Sequence, residues 1–238
     1  RRGDIAWSLK TLDANGDVGQ NSDLVLGGDG HPRVTYYDAT QGDLKYAYED
    51  GSGWQTRVLD DAGDVGRYSA QAIFTAVTYP ISTTPVYTDY VHIGYYDAAN
   101  GAVKYALLDS NAAAPTIEIV DDQDDAGQFV SVALSTTYES MVQPYLSYYV
   151  ADTGDLRCAW WDGAAWITKT LETAGDVGQY TSLDIDPNAQ LHLSYYDATN
   201  GDLRYAWFDS GRWFTQTVDA TDDVGQHCIL QTALATYS

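Results

Sequence analysis

Cations are scarce in this chain of 238 residues: 12 Lys and Arg stand against 34 Asp and Glu, a formal net charge of −22. That balance excludes the basic patch on which nucleic-acid binding rests, and it repels anionic membrane surfaces. Cysteine is nearly absent. Cys158 and Cys228 fall at different repeat positions in non-adjacent repeats, so no disulfide framework is expected. No apolar run approaches the roughly 18 residues of a membrane-spanning helix. No P-loop, dinucleotide-binding glycine signature, His-Glu-x-x-His or nucleophile elbow occurs, so no nucleotide or organic cofactor is expected. The chain opens at Arg1-Arg2-Gly3, without Met and within a repeat, as a processed, excised or incompletely represented sequence would.

What the chain has in quantity is Tyr (20), Trp (7) and Gly (21), arranged periodically. A Tyr-Tyr pair is followed by Gly six residues after its first member at Tyr36/Gly42, Tyr95/Gly101, Tyr148/Gly154 and Tyr195/Gly201, a repeat of about 47 residues. Each repeat holds four short β-rich runs between turn-forming Gly, Asp and Asn. The first is apolar, as at Asp23–Leu26, and the second ends in Tyr-Tyr. The third reads Asp43-Leu44-Lys45-Tyr46-Ala47. The fourth runs from Trp to an acid: Trp7/Asp13, Trp54/Asp60, Trp166/Glu172 and Trp213/Asp219, with Pro115 ahead of Asp121 in the remaining copy. Proline removes a ladder donor, so the fourth run belongs at a sheet edge.

One four-stranded unit cannot bury both of its faces, so the units must stack. The expected fold is all-β: a single β-propeller domain over 1–238, most simply with five blades. The expected blades are 21–60, 68–121, 129–172, 180–219, and a reduced fifth made of 227–238 with 1–13. The N-terminal Trp7 strand would close the last blade. A truncated larger propeller and closure by a partner chain are the alternatives, so oligomerisation stays open. Extra residues at 75–89 and 136–141 lie between first and second strands.

Topology sorts the loops. In a four-stranded meander the 4→1 loops and the 2→3 turns share one face. The 4→1 loops place Asp17, Asp64, Asp125, Asp176 and Asp223 there, as candidate calcium ligands or as plain turn residues. Next in each loop comes Gln20, Arg67, Gln128, Gln179 or Gln226, followed in three copies by Tyr68, Phe129 and Tyr180. Amide, guanidinium and aromatic ring together can bind hydroxyls and stack on a sugar, so these eight residues are the expected ligand-binding set. Several equivalent weak sites would act multivalently. The enzymatic alternative draws on His92, His192, Tyr196 and Arg204, a set able to supply base, acid and charge neutralisation. No unique catalytic residue is assigned. One groove gathering His, Tyr and Arg would favour an enzyme, and several similar shallow pockets a lectin.

The run His192-Leu-Ser-Tyr-Tyr-Asp-Ala-Thr-Asn-Gly-Asp-Leu-Arg-Tyr-Ala206, with Trp213 and Asp223-Val224-Gly225, resembles the Asp/Tyr-rich repeats of bacterial β-propeller proteins, loosely sialidase-like. The resemblance spans nearly the whole chain. It implies a secreted or cell-surface module, with propeller lectins and ulvan-lyase-like polysaccharide lyases among its relatives. The arginine triad and Asp-box turns of true sialidases are not present in convincing form. The function expected is carbohydrate binding, with a glycan or polysaccharide as partner. A polysaccharide-degrading enzyme such as a lyase and a non-catalytic interaction scaffold are the alternatives.

Overall fold

The structure, a computed structural model, describes residues 8–80, 84–138 and 141–232. Within them lie four antiparallel four-stranded sheets, each a meander in chain order. The first comprises β1 (Val18–Leu26), β2 (Pro32–Asp38), β3 (Asp43–Glu49) and β4 (Trp54–Asp60). The second comprises β5 (Val65–Thr78), β6 (Val86–Asp97), β7 (Ala102–Asp109) and β8 (Thr116–Asp121). The third comprises β9 (Ala126–Tyr138), β10 (Met141–Val150), β11 (Asp155–Trp161) and β12 (Trp166–Glu172). The fourth comprises β13 (Val177–Ile185), β14 (Leu191–Asp197), β15 (Asp202–Asp209) and β16 (Arg212–Asp219). Pro115 immediately precedes β8, an outer strand, as its missing N–H requires.

Sequential sheets pack face to face. Their first strands contact one another in the order β1, β5, β9, β13. The apolar core lies in the three spaces between sheets. Leu44 and Val65 meet Ile93 and Tyr95 in the first, Val103 and Val132 meet Leu146 in the second, and Leu156 and Leu183 meet Leu193 in the third. Close approach is set by glycine. A Cβ on Gly66 would stand 2.7 Å from the Leu44 Cα, and its φ of +103° disfavours any side chain.

Two details differ from the expected segmentation. In the first four loops the second half, Val-Gly or Ala126-Gly127, already belongs to the following strand. Val18 pairs with Asp38 and Gln20 with Tyr37, before an irregularity resets the register at Asp23↔Thr35. The extra residues of the second repeat lengthen β5 and β6 into a hairpin paired from Val65↔Asp97 to Thr78↔Val86, rather than forming a loop.

The expected fifth blade is described only in part. Residues 1–7, Trp7 among them, and 233–238 lie outside the described residues, and neither 8–13 nor 227–232 is in a strand. Both segments nevertheless make the contacts of a neighbouring unit. Leu230 N–H donates to Ser182 Oγ at 3.1 Å, as Leu183 N–H does to Ser131 Oγ at 3.0 Å one unit earlier. Asp13 accepts from Tyr36 and Lys45 of the first sheet, as Asp60 accepts from Tyr95 and Lys104 of the second.

Candidate functional site

The loop face is tied together by backbone hydrogen bonds. Ala39 N–H donates to Asp17 O, and Val65 N–H to Gly42 O. The pattern recurs through Ala98, Ala126, Ala151, Val177, Ala198 and Val224. The 4→1 loops and 2→3 turns therefore sit together, as the meander requires.

Each acid at this repeat position accepts a side-chain hydrogen bond. The second Tyr of each pair reaches the loop of the next unit: Tyr37 to Asp64 at 2.6 Å, Tyr96 to Asp125, Tyr149 to Asp176 at 2.8 Å, and Tyr196 to Asp223 at 2.6 Å. Burial first, and the carboxylate partner second, raise the phenol of Tyr149 to about 12. The residue three positions on holds the same acid from the other side: Gln20 on Asp17, Arg67 on Asp64, Gln179 on Asp176 and Gln226 on Asp223. The candidate calcium ligands are thus engaged as hydrogen-bond acceptors. Among the described residues no group of three or more His, Cys, Asp or Glu is placed to hold a metal ion.

Immediately after this polar ring stands a second one. Asn21, Tyr68, Phe129, Tyr180 and His227 occupy the same position in five successive repeats, and all five have left-handed backbone, with φ from +49° to +54°. Bulky residues rarely adopt that conformation, and strain of this kind is characteristic of functional sites. It turns the side chains of five repeats toward one shared cavity of about 390 Å³, whose lining continues through Ser69, Thr181 and Cys228. Ring centroids lie 4.7 Å apart for Tyr68–Phe129, 4.5 Å for Phe129–Tyr180 and 4.3 Å for Tyr180–His227. A neighbouring cavity joins Gln20, Tyr37, Arg67 and Tyr68, with Arg67 over the Tyr37 ring at 5.4 Å. The structure thus brings Tyr68, Phe129 and Tyr180 together, and Gln20 with Arg67. Gln128, Gln179 and Gln226 line neither of these two cavities.

On the opposite face, a groove of about 390 Å³ lies between the first two sheets, lined by His31, Arg33, Tyr46, Tyr48, Glu49, Arg57, Tyr87 and Asp89, among others. Buried Arg33 is saturated by Asp29 at 2.8 Å, Asp89 at 3.0 Å and the carbonyl oxygens of His31 and Glu49. Arg57 differs: it has no carboxylate partner among the described residues. Its guanidinium lies against the Tyr46 and Tyr48 rings, donates to Ala112 O at 3.2 Å, and leaves Nε unpartnered. The lengthened β5–β6 hairpin supplies Tyr87 and Asp89 to the far wall. Sequence reasoning missed this site because its wall comes from an insertion rather than from the repeat.

The enzymatic set does not assemble. His92 is buried, sharing a hydrogen bond with Tyr105, and burial lowers it to about 4. His192 shares one with Tyr205, Tyr196 is held by Asp223, and Arg204 pairs with Glu172 at 2.8 Å. These four residues serve separate contacts. Both cysteines are free, and burial raises Cys158 to about 12, which makes it a packing residue. No helix among the described residues is long and apolar enough to cross a membrane.

No protein-family model matches this sequence, and no curated protein matches it. Solved structures do share its fold. The chain is similar to an Aleuria aurantia lectin in complex with Fucalpha1-6GlcNAc (TM-score 0.56, 13% identity, 84% of this chain, 64% of that one). It is similar also to SapL1 lectin in complex with alpha methyl fucoside (TM-score 0.56, 17% identity, 88% of this chain, 69% of that one). A third likeness is to the Hadza microbial sialidase Hz136 (TM-score 0.52, 12% identity, 85% of this chain, 47% of that one). This chain spans less than two thirds of the Aleuria lectin and about half of the sialidase. At these identities the likeness shows the fold, and that fold is one found in carbohydrate-binding lectins and in a carbohydrate-acting enzyme.

Proposed function

We propose that this protein is a carbohydrate-binding, lectin-like β-propeller module of five blades, the fifth reduced, acting outside the cell or on its surface. One observation carries the reading. Residues of five repeats, four of them bearing rings, are held in left-handed backbone so that they meet at one cavity, beside a belt of amides, a guanidinium and carboxylates. Rings tilted by 45–52° to one another offer apolar surface to a pyranose, and the belt offers donors and acceptors to its hydroxyls. The lectin structures that share this fold support the same function. Calcium is not needed in this scheme, because the loop carboxylates already have partners.

A glycan array screened with calcium and again with chelator tests the proposal. Binding to related glycans in both conditions, lost on Tyr180→Ala, supports it. Binding that survives Tyr180→Ala removes the shared aromatic cavity from the reading.

A second reading has its own observation. The groove between the first two sheets gathers His31, Arg33, Arg57 and three tyrosines in one place, as a polysaccharide-degrading enzyme would require. A polysaccharide-depolymerisation assay decides this: turnover abolished by Arg57→Ala would establish the enzyme, and no turnover on neutral or acidic polysaccharides would dismiss it.

A further inference from the structure

In the second and fourth sheets a third-strand tyrosine is closed off by histidine. Tyr105 shares a 2.6 Å hydrogen bond with His92 Nδ1, and Tyr205 shares one of 2.6 Å with His192 Nδ1. The first sheet breaks this pairing. Arg33 stands where the histidines do, facing Tyr48 across its ladder as His92 faces Leu107 and His192 faces Trp207. Its guanidinium turns instead to Asp29 and Asp89. Tyr46, at the position of Tyr105 and Tyr205, is only 3% exposed, yet its hydroxyl has no hydrogen bond among the described residues. It lines the groove between the first two sheets.

Arg57 enters the same groove from β4. It is the cross-strand neighbour of Tyr46, a position held by Glu118, Lys169 and Gln216 in the other sheets, so the repeat itself does not call for a cation there. Every other buried or half-buried Lys or Arg among the described residues meets a carboxylate: Arg33, Lys45, Lys104, Arg157 and Arg204. Half-buried Arg57 has only the Ala112 carbonyl on Nη1, with Nε and Nη2 unbonded. The stacked Tyr46 and Tyr48 rings hold its guanidinium 5.5 and 5.4 Å from their centroids. A desolvated cation without a counter-charge is costly, and two rings and one carbonyl offset only part of that cost. The carboxylates of the groove are committed elsewhere. Asp29 and Asp89 hold Arg33, Glu49 lies 3.3 Å from His31 Nδ1, and Asp50 accepts the Ser52 N–H and hydroxyl.

We propose that this groove is a binding site for a carboxylate carried on a six-membered ring. Arg57 donates to the carboxylate through its free Nη2, and the Tyr46 hydroxyl donates beside it, so that one anion answers both unpartnered groups. Half-buried Tyr48, and Tyr87, 41% exposed on the far wall, face the ring that carries the carboxylate. At about 390 Å³ the groove has room for one such acid. A sugar acid and an aryl acid share this chemistry. The site is separate from the shared aromatic cavity and asks for binding, not for turnover, so it stands whether or not that cavity takes a glycan.

Titration calorimetry on the intact protein tests this with two acids, sodium glucuronate and sodium benzoate, each against its uncharged counterpart, glucose or benzyl alcohol. At least one acid should bind one-to-one, about tenfold more tightly than its counterpart, and should raise the Tm at saturation. Binding of glucuronate alone identifies a sugar acid, and binding of benzoate alone an aryl acid. Binding of both shows that the carboxylate itself is read. Arg57→Gln should weaken that binding about tenfold. Glutamine already stands at this position in the fourth sheet, so the variant should keep the wild-type circular dichroism. Tyr46→Phe retains the ring beneath Arg57 and should weaken binding about threefold, which keeps the test decisive should Arg57→Gln unfold. Three results would each overturn the proposal: no heat and no Tm shift with either acid at millimolar concentration, acids bound no more tightly than their uncharged counterparts, or acid binding unchanged in the folded variants.

Discussion

Tyr95 donates its hydroxyl to Asp60 across 2.7 Å, from the second strand of one sheet to the end of the fourth strand of the sheet before it. Lys104 reaches the same carboxylate oxygen at 2.8 Å, and all three side chains are buried. Burial alone would raise the Asp60 carboxyl, but the Lys104 and Tyr95 bonds hold it below its usual range. Tyr95→Phe should cost about 1.5–3 kcal/mol, the worth of a hydrogen bond to a charged group. Asp60→Ala should cost more, about 3–5 kcal/mol, because it leaves the Lys104 ammonium buried with only Asp97, at 3.3 Å, to face it. Urea unfolding of both variants checks the order; a Tyr95→Phe variant as stable as wild type would refute this three-residue clamp as an energetic element.

Acid should act on clamps of this kind. The Lys45 hydrogen bond first, then the Asn15 N–H and the Tyr36 hydroxyl, hold Asp13 at about 2, down from 3.8. A carboxylate with a lowered folded-state pKa stabilises fully above its unfolded value and loses that contribution as pH falls through the folded one. The loss should therefore lie between about pH 4 and pH 2. Asp13→Asn should lower the Tm at pH 6, and its gap from wild type should narrow as pH approaches 2. A gap that stays constant over that range would show that Asp13 titration does not contribute.

His92 sets a separate, milder window. It is buried, one ring nitrogen has no partner, and burial lowers it from 6.5 to about 4. The neutral ring is the folded form, so its contribution is complete above pH 6.5 and declines as pH falls toward 4. The full span is on the order of 3 kcal/mol. His92→Gln can keep the contact with Tyr105 while removing the titration. Its stability should be flat between pH 6.5 and 4, where wild type loses stability; parallel curves would exclude His92 as the cause.

Much of this architecture was legible because it repeats. The Tyr-Tyr/Gly spacing located β2, β6, β10 and β14 with their turns, and Pro115 marked an outer strand. The roles of the acids were not legible. Asp64 takes its tyrosine from Tyr37, which lies 27 residues earlier and one sheet away. Nothing local distinguishes such an acceptor from a turn cap. Three of the five residues that line the shared cavity stood out in the sequence by their aromatic character. Asn21 and His227 were overlooked, although they share the repeat position of Tyr68, Phe129 and Tyr180; position rather than residue type was the better signal. The inter-sheet groove was hidden for the opposite reason, since Tyr87 and Asp89 come from the one long hairpin that breaks the repeat.

Tyr180 separates binding from folding. Its φ of +54° costs a non-glycine residue about 1–2 kcal/mol, which glycine does not incur. Tyr180→Gly relieves that strain and removes the ring contacts to Phe129 and His227, each worth about 0.5–1.5 kcal/mol. The two effects oppose, so the loss of unfolding free energy should stay within about 2 kcal/mol. Glycan binding should nevertheless fall about tenfold, because a stacking surface worth about 1.4 kcal/mol is gone from the middle of the aromatic arc. Paired denaturation and titration on this one variant check both halves. A large loss of stability with binding intact would mean that the ring of aromatics holds the five repeats together and does not meet a ligand.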